Sequence, residues 1–369
     1  MFPKIKTDEN VLARRWESAT RDDVMSALDS TSLDSTAFLT LLSPAAMELR
    51  GEIAERASAI RFARFGKTVK LYTPLYLSNY CVNNCVYCGF NAESGASRRR
   101  LSLGEVESEL DAIASFGVDS ILLVSGEDPR SVSLDYLKKA VGMAKERFSY
   151  VAVEIYPLDE LGYSNLRRSG LDGLTLYQET YDQQTYARCH PSGPKSDYDG
   201  RLAAVEAGAK ANLNVIGLGF LLGLYDWRFE ALSLAAHATW LKRRYWRTAL
   251  QFSFPRITPI ENGFEPPAPV SEEELETMVL AFRLMFPDAE ISISTRENRA
   301  FRDKIAVSAA TTLSAASRVV PGGYAAEENG DLGQFSLRDT RSVDEMARDL
   351  PALGLEVVFK DWDVAFSAV

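Results

Sequence analysis

The apolar positions change period once along the chain, near Gly66. Before that glycine they repeat at helical spacing. The clearest case begins at Ser43-Pro44, an N-cap followed by proline at the first helical position. Leu49, Ile53, Ala57 and Ile60 share one face of the helix this predicts, and Gly66 is a natural stop. Beyond Gly66, short apolar or β-rich runs alternate with helix-period stretches. Strands are predicted at about 71–79, 119–125, 150–156, 173–177, 214–219, 248–254, 289–295 and 309–314. One intervening helix places Phe229, Leu232, Ala236 and Trp240 on a common face. Eight strands separated by helices predict an α/β fold of the (βα)8 TIM type, with a doubly wound open sheet as the alternative. Pro321-Gly322-Gly323 marks the end of the barrel region. The expected division is an N-terminal helical extension over 1–70, a barrel over 71–320 and a C-terminal extension over 321–369. The last contains an amphipathic helix after Ser342 and a strand-like GLEVVFKDW, expected to pack back on the barrel.

Composition narrows the class. The 369 residues are 46% hydrophobic and 25% charged, with 41 Lys and Arg against 51 Asp and Glu, a net charge of −10. That is globular composition with enough apolar residues for a large core. The acidic balance argues against nucleic acid as a partner. No run approaches the roughly 20 apolar residues of a membrane span, and the first residues lack the apolar core of a signal peptide, so a cytoplasmic location is expected. Four cysteines in a chain of this length do not make a secreted disulfide framework; clustered, they more often hold metal.

Three of them are clustered. Cys81-Val-Asn-Asn-Cys85-Val-Tyr-Cys88 has C-x3-C-x2-C spacing directly after the first predicted strand. Three thiolates on one loop can hold three irons of a cubane and leave the fourth open to another ligand, where four cysteines would close it. In a barrel, the loop after a strand lies on the catalytic face. The alternative is a structural zinc site, which needs a fourth ligand. The candidates, Cys189, His190 and His237, are about a hundred or more residues away. An electron-transfer iron–sulfur protein is a further alternative, although it would need neither a barrel nor an open iron.

With Tyr87 before the last cysteine, C-x3-C-x2-C is similar to the signature of the radical S-adenosylmethionine (SAM) enzymes. The segments PLYLSNYCVNNCVYCGF, LLVSGED, EIYPL, YQETY, IGLGFLLGL, SFPR, STRE, RVVPGGY and FKDWD resemble the tyrosine lyases of thiamine biosynthesis, the 2-iminoacetate synthases, along nearly the whole chain. The resemblance implies a 4Fe-4S cluster on Cys81, Cys85 and Cys88, and SAM on its open iron. The implied reaction breaks the Cα–Cβ bond of L-tyrosine to give 2-iminoacetate (dehydroglycine), p-cresol and 5′-deoxyadenosine. It also implies two protein partners: a flavodoxin- or ferredoxin-type electron donor and the thiazole synthase subunit, which would receive the easily hydrolysed product. A tryptophan lyase stays open. The related hydrogenase-maturation lyases and the biotin-synthase-like enzymes use additional cluster ligands, and there is no cysteine after Cys189.

Site residues follow from the same resemblance. Ser125-Gly126-Glu127, after the second strand, corresponds to the segment that receives the SAM ammonium. Glu154 and Glu179, acids after the third and fourth strands, could meet ribose hydroxyls or charged groups of SAM. Arg201 resembles the arginine that pairs with the SAM carboxylate, with Arg188 as a rival. Gly217 and Gly219 would let the fifth strand pass close to adenine or ribose, or simply pack the barrel. Phe90 could meet adenine or belong to the core. For the substrate, Tyr76 resembles the tyrosine near the amine. Arg296, with Ser314, is the first candidate for the amino-acid carboxylate, and Arg256 the second. His237 reads as structural, His190 as a possible proton carrier and Cys189 as incidental. Arg98-Arg99-Arg100 reads as a solvated loop start or a docking point for an acidic electron donor.

Overall fold

A computed structural model describes residues 9–257, 263–325 and 333–359, with side chains from Leu12 onward. Five helices come first: α1 (Glu9–Glu17), α2 (Arg21–Asp29), α3 (Ser35–Thr40), α4 (Pro44–Glu48) and α5 (Arg50–Phe65). The helix predicted from Ser43 is thus two elements. Ser43 caps the first and Gly66 ends the second, but the chain bends at Leu49 (φ −100°, ψ 20°), where Arg50 Nη1 donates to the Met47 carbonyl (2.7 Å).

The barrel follows as β1 (Thr68–Ser78), α6 (Leu103–Ala114), β2 (Ser120–Ser125), α7 (Leu134–Lys145), β3 (Tyr150–Glu154), α8 (Glu160–Arg168) and β4 (Gly173–Thr175). It continues through α9 (Gln183–Cys189), α10 (Tyr198–Lys210), β5 (Val215–Gly219), α11 (Trp227–Arg244), β6 (Ala249–Ser253), α12 (Glu272–Met285), β7 (Glu290–Ile293), α13 (Arg299–Ser308) and β8 (Thr312–Ser314). Each strand pairs in parallel with the next, and β8 returns to β1, so the sheet closes. The open-sheet alternative is therefore excluded. Parallel strands covered on both faces need near-continuous apolar runs, and Ser-Ile-Leu-Leu-Val-Ser in β2 is one. Asp or Ser N-caps start several of the helices on the return path, with reciprocal capping at Ser102/Glu105 and Ser271/Glu274; each cap is worth about 1 kcal/mol.

Inside the barrel, the layer at the strands' N-terminal ends is polar. Lys70 Nζ meets Glu290 Oε1 at 2.7 Å, and Gln251 Nε2 donates to Glu290 Oε2 at 2.8 Å. These residues plug the base and leave the cavity at the opposite end. α11 turns differently from expectation. Its fully buried stripe is Trp227, Ala231, Leu234, Ala235, Ala238 and Leu241; Phe229, Leu232, Ala236 and Trp240 lie half-buried on the flank. The reason is tertiary. The N-terminal helices occupy that side: α3 packs on α11, and Arg228 stacks on Trp16 and donates to the Leu42 carbonyl.

After β8 the chain crosses the barrel mouth and returns through α14 (Val343–Asp349), capped by Ser342, to β9 (Glu356–Val358). β9 pairs with the first residues of β1, and the FKDWD segment past Phe359 lies outside the described residues. Among the described residues no helix is long and apolar enough to cross a membrane. Three arginines among the described residues are fully buried. Arg61 and Arg283 satisfy backbone carbonyls around the starts of β1 and β8. Arg302 pairs with Asp339, which also takes Arg341 at 2.7 Å. Replacing Asp339 with alanine strands a buried guanidinium, so chemical denaturation should show a loss of about 3–5 kcal/mol; a change under 1 kcal/mol would show that the pairing is dispensable.

Candidate active site

The register of β1 against β2 slips between Tyr76 and Ser78, and the cysteine loop leaves the strand there. Such an irregularity re-aims the chain at a functional rim. The loop closes on itself. Asn79 N–H donates to the Arg99 carbonyl (3.1 Å), and Leu101 N–H to the Leu77 carbonyl (2.9 Å). Arg98 sits inside it and donates to the carbonyls of Asn79 (2.7 Å), Phe90 (2.9 Å) and Asn91. Arg98 and Arg99 are therefore partly buried structural contacts, while Arg100 stays exposed. Arg98 pins the loop, Arg99 pairs with Glu105, and Arg100 covers the Tyr136 ring. Cys81, Cys85 and Cys88 all line one cavity at the strands' C-terminal ends, with about 1390 Å³ of empty space including its open mouth.

Ser125, Gly126 and Glu127 enter from the end of β2. Gly126 is held by packing: a Cβ there would lie 2.4 Å from the Tyr80 carbonyl oxygen, next to Cys81. Ser125 Oγ is buried without a hydrogen-bond partner and lines the cavity, an open valence for a bound ligand. Glu127 accepts from Arg201 Nη1 (3.0 Å) and from Asn83 Nδ2 (2.9 Å) of the cysteine loop. Glu179 takes Lys195 Nζ at 2.7 Å and Arg201 Nη2 at 3.5 Å. Its backbone has φ 69°, a left-handed conformation unusual outside glycine. Burial opposes the Glu179 charge, but Lys195 and Arg201 overcome it and hold the carboxyl below its ordinary range. Burial and Arg201 likewise oppose the Lys195 charge; Glu179 and Glu127 prevail and raise it.

The other wall is aromatic. Tyr76 and Phe90 meet edge to face with centroids 6.0 Å apart, beside Val124 and Val319 and against Cys81 and Cys88. Tyr76 O–H donates to Gln334 Oε1 (2.7 Å). Arg296 lies over the Phe335 ring, 3.6 Å from its centroid, and makes no ion pair among the described residues. Ser314 Oγ accepts the Thr295 N–H at 3.1 Å. Glu154, at the end of β3, faces the same space. Burial, then Glu179, pushes its carboxyl up to about 7.

Four candidates lie elsewhere. Gly217 and Gly219 do not line the cavity; Cβ atoms there would meet Thr175 at 2.8 Å and the Ser253 carbonyl oxygen at 2.3 Å, so strand packing fills that space. Arg256 is turned away into a two-pronged pair with Glu297. Its rival Arg296 is the arginine in the cavity. Arg188 is exposed and also outside it. His190 has both nitrogens engaged, Nδ1 with the Tyr186 carbonyl (2.8 Å) and Nε2 with Tyr87 O–H (2.7 Å). Burial, then Lys195, lowers it to about 3, which disfavours the cationic ring. His237 is buried against Tyr181. Asn83, Lys195, Gln334 and Phe335 escape the sequence analysis; only Asn83, inside the cysteine motif, carried a signal.

These residues fit a cluster better than a single ion. Cys189 packs on Leu221 and Leu224, so neither it nor His190 completes a zinc site. Among the described residues no trio of His, Cys, Asp or Glu converges on one metal ion. Three anchored corners of a cubane ask for a wider spread. Burial raises Cys85 to about 12 and Cys88 above its ordinary range, so thiolates there need the positive charge that iron supplies.

A closed parallel barrel with a C-x3-C-x2-C loop at its catalytic face defines a radical SAM enzyme, and residues 75–234 match the radical SAM superfamily. Residues 253–356 match the biotin and thiamin synthesis associated domain. The chain is 41% identical over 350 residues to the 2-iminoacetate synthase of Escherichia coli (strain K12), covering 95% of this chain and 93% of that one. It is 40% identical to the 2-iminoacetate synthase of Salmonella typhimurium (strain LT2), with the same shares. The chain belongs to the 2-iminoacetate synthase family and is a radical SAM lyase; the family implies a 4Fe-4S cluster and SAM. The crystal structure of the FeFe-hydrogenase maturase HydG from Carboxydothermus hydrogenoformans has the same fold, with a TM-score of 0.85 at 32% identity over 96% of this chain and 80% of that one.

The Glu154 carboxyl generates a pH prediction. Its folded value, about 7, lies above the ordinary glutamate value of 4.5, so between those pH values the folded chain holds a proton that the unfolded chain has lost. Stability therefore falls as pH rises through that window. Glu154→Gln should remove the dependence, and denaturation of the metal-free protein should show its advantage over wild type growing from pH 5 to pH 8. An unchanged difference would mean that Glu154 is not desolvated.

Proposed function

We propose that this chain cleaves the Cα–Cβ bond of L-tyrosine to 2-iminoacetate and p-cresol, with 5′-deoxyadenosine as co-product, and that 2-iminoacetate supplies the thiazole of thiamine. The observation that carries the substrate class is Arg296. It is a cation with no carboxylate partner among the described residues, inside the cavity of the three thiols and next to an aromatic wall. A free guanidinium edge there suits an amino-acid carboxylate, and the relatives named 2-iminoacetate synthase support the reaction.

Cys81, Cys85 and Cys88 would hold the cluster. Ser125, Gly126, Glu127, Glu179 and Arg201, with Glu154 nearby, would hold SAM. When bound, these groups supply a carbon-centred radical able to abstract a hydrogen atom. The chain's own part is placement. Arg296 fixes the substrate carboxylate, Ser314 sits beside it, and the Tyr76 oxygen can accept from the substrate amine. Tyr76, Phe90 and Val319 exclude water from the aromatic ring. SAM cleavage consumes one electron, and completion of p-cresol consumes another with a proton. A flavodoxin- or ferredoxin-type donor fits that demand, and the thiazole synthase subunit is the receiver of the unstable imine.

Anaerobically reconstituted protein given SAM, reductant and tyrosine should form 5′-deoxyadenosine and p-cresol; tryptophan run in parallel should form neither its cleavage product nor excess 5′-deoxyadenosine. Cys85→Ala should abolish both tyrosine products. Arg296→Met should lower kcat/KM for tyrosine about 100-fold, the loss expected of a truncated enclosed charge pair. SAM cleavage without p-cresol would sink the substrate assignment.

A further inference from the structure

We propose that Gln334 and Phe335 form a substrate cap that positions Tyr76 and Arg296 for an aromatic α-amino acid, an inference that rests on the function proposed above. The segment Gly333–Leu337 crosses the cavity mouth between the cysteine loop and the end of the barrel. Its approach to both sides needs glycine. A Cβ on Gly89, the residue after Cys88, would lie 2.9 Å from the Gly333 carbonyl oxygen, and a Cβ on Gly333 would lie 2.7 Å from Val319 Cγ2. Gln334 N–H donates to the Val319 carbonyl at 3.1 Å. Downstream, the Arg338 N–H donates to the Thr295 carbonyl (2.8 Å), and Asp339 joins the buried Arg302.

Both cap side chains meet a substrate anchor. Gln334 Oε1 accepts the only proton of the Tyr76 hydroxyl, so that oxygen is left to face the cavity as an acceptor. An amine N–H is the complementary donor. Phe335 covers one face of the Arg296 guanidinium, which fixes its plane and leaves its edges for a carboxylate. Phe335 and Leu337 also join Tyr76, Phe90 and Val319 in one apolar cluster, a wall that suits an aromatic side chain rather than a polar one. Gln334 and Phe335 are positioning residues. Gln334 acts through Tyr76, and Phe335 acts through Arg296.

The test uses the reconstituted full chain with SAM. Gln334→Leu should lower kcat/KM for tyrosine about tenfold, the worth of one enclosed hydrogen bond. It should also raise the ratio of 5′-deoxyadenosine to p-cresol several-fold, because a misplaced amine wastes radicals. In a Tyr76→Phe background, Gln334→Leu should add nothing. Phe335→Ala should raise KM more than it lowers kcat, and Phe335→Tyr should restore both. Amide hydrogen exchange across Gly333–Leu337 should slow when tyrosine is added. Wild-type KM, kcat and product ratio in Gln334→Leu and Phe335→Ala, or additive losses in the double variant, overturn the cap. If wild type yields no p-cresol, the proposed function fails on its own. The cap is then read from exchange protection by tyrosine, tryptophan or phenylalanine, which needs no turnover, and absence of protection by all three overturns it.

Discussion

The cavity depends on one buried ionic cluster, in which Glu127 and Glu179 face Lys195 and Arg201. Its members come from separate places in the fold: the end of β2, the loop after β4, the loop before α10, and α10 itself. Asn83 extends it to the cysteine loop: its side-chain Nδ2 donates to Glu127 and its side-chain Oδ1 accepts the Lys195 backbone N–H. Loss of any member would leave the enclosed charges out of balance, which costs free energy because charges out of water need matched partners. The loop that carries the thiols is therefore held against the barrel by charge as well as by its own turns. The same pairing offsets the left-handed backbone at Glu179, a conformation that costs about 1–3 kcal/mol when nothing compensates it.

The cluster also divides the cavity. Its ionic half gathers on the side of β2, β4 and α10, and its aromatic half on the side of β1, β7 and the crossing segment. Each half suits a different ligand. Charged and hydroxyl-bearing groups find partners in the first. A planar side chain finds Tyr76, Phe90 and Phe335 in the second, with Arg296 at its margin. The thiols lie where the halves meet, and Cys81 and Cys88 touch the apolar cluster. Under the proposed function, SAM and an amino acid would then lie side by side without sharing anchors.

The barrel was legible because strand runs and helix spacing are local properties, and all eight strands fall within a few residues of expectation. The cysteine loop was legible because its spacing is itself the chemistry. The misplaced elements have tertiary causes. α11 buries a different face because α3 and Trp16 take the flank, which no period within α11 encodes. Arg256 could not be told from Arg296 until Glu297 claimed one of them. Gly217 and Gly219 are small because neighbouring strands need the room. Lys195, Gln334 and Phe335 went unnoticed for a similar reason: each reaches the cavity from a loop whose path is set by contacts distant in sequence.

The ionisation of the acids sharpens the division. Glu179 is buried and Glu154 half-buried in the same cavity, yet Glu179 is held charged by two cations, while Glu154 is pushed up to about 7. Near neutrality Glu154 carries only part of a charge. Lys195, Arg201 and Arg296 then outweigh Glu127 and Glu179 in the lining, so the empty cavity favours anions. Under the proposed function two carboxylates arrive, one on SAM and one on tyrosine, and they must not exchange places. Arg201 can receive one only by loosening its hold on Glu127 and Glu179. Arg296 has no carboxylate to release among the described residues. The two sites therefore differ in the cost of entry as well as in position, and the amino acid is directed to the arginine beside the aromatic wall.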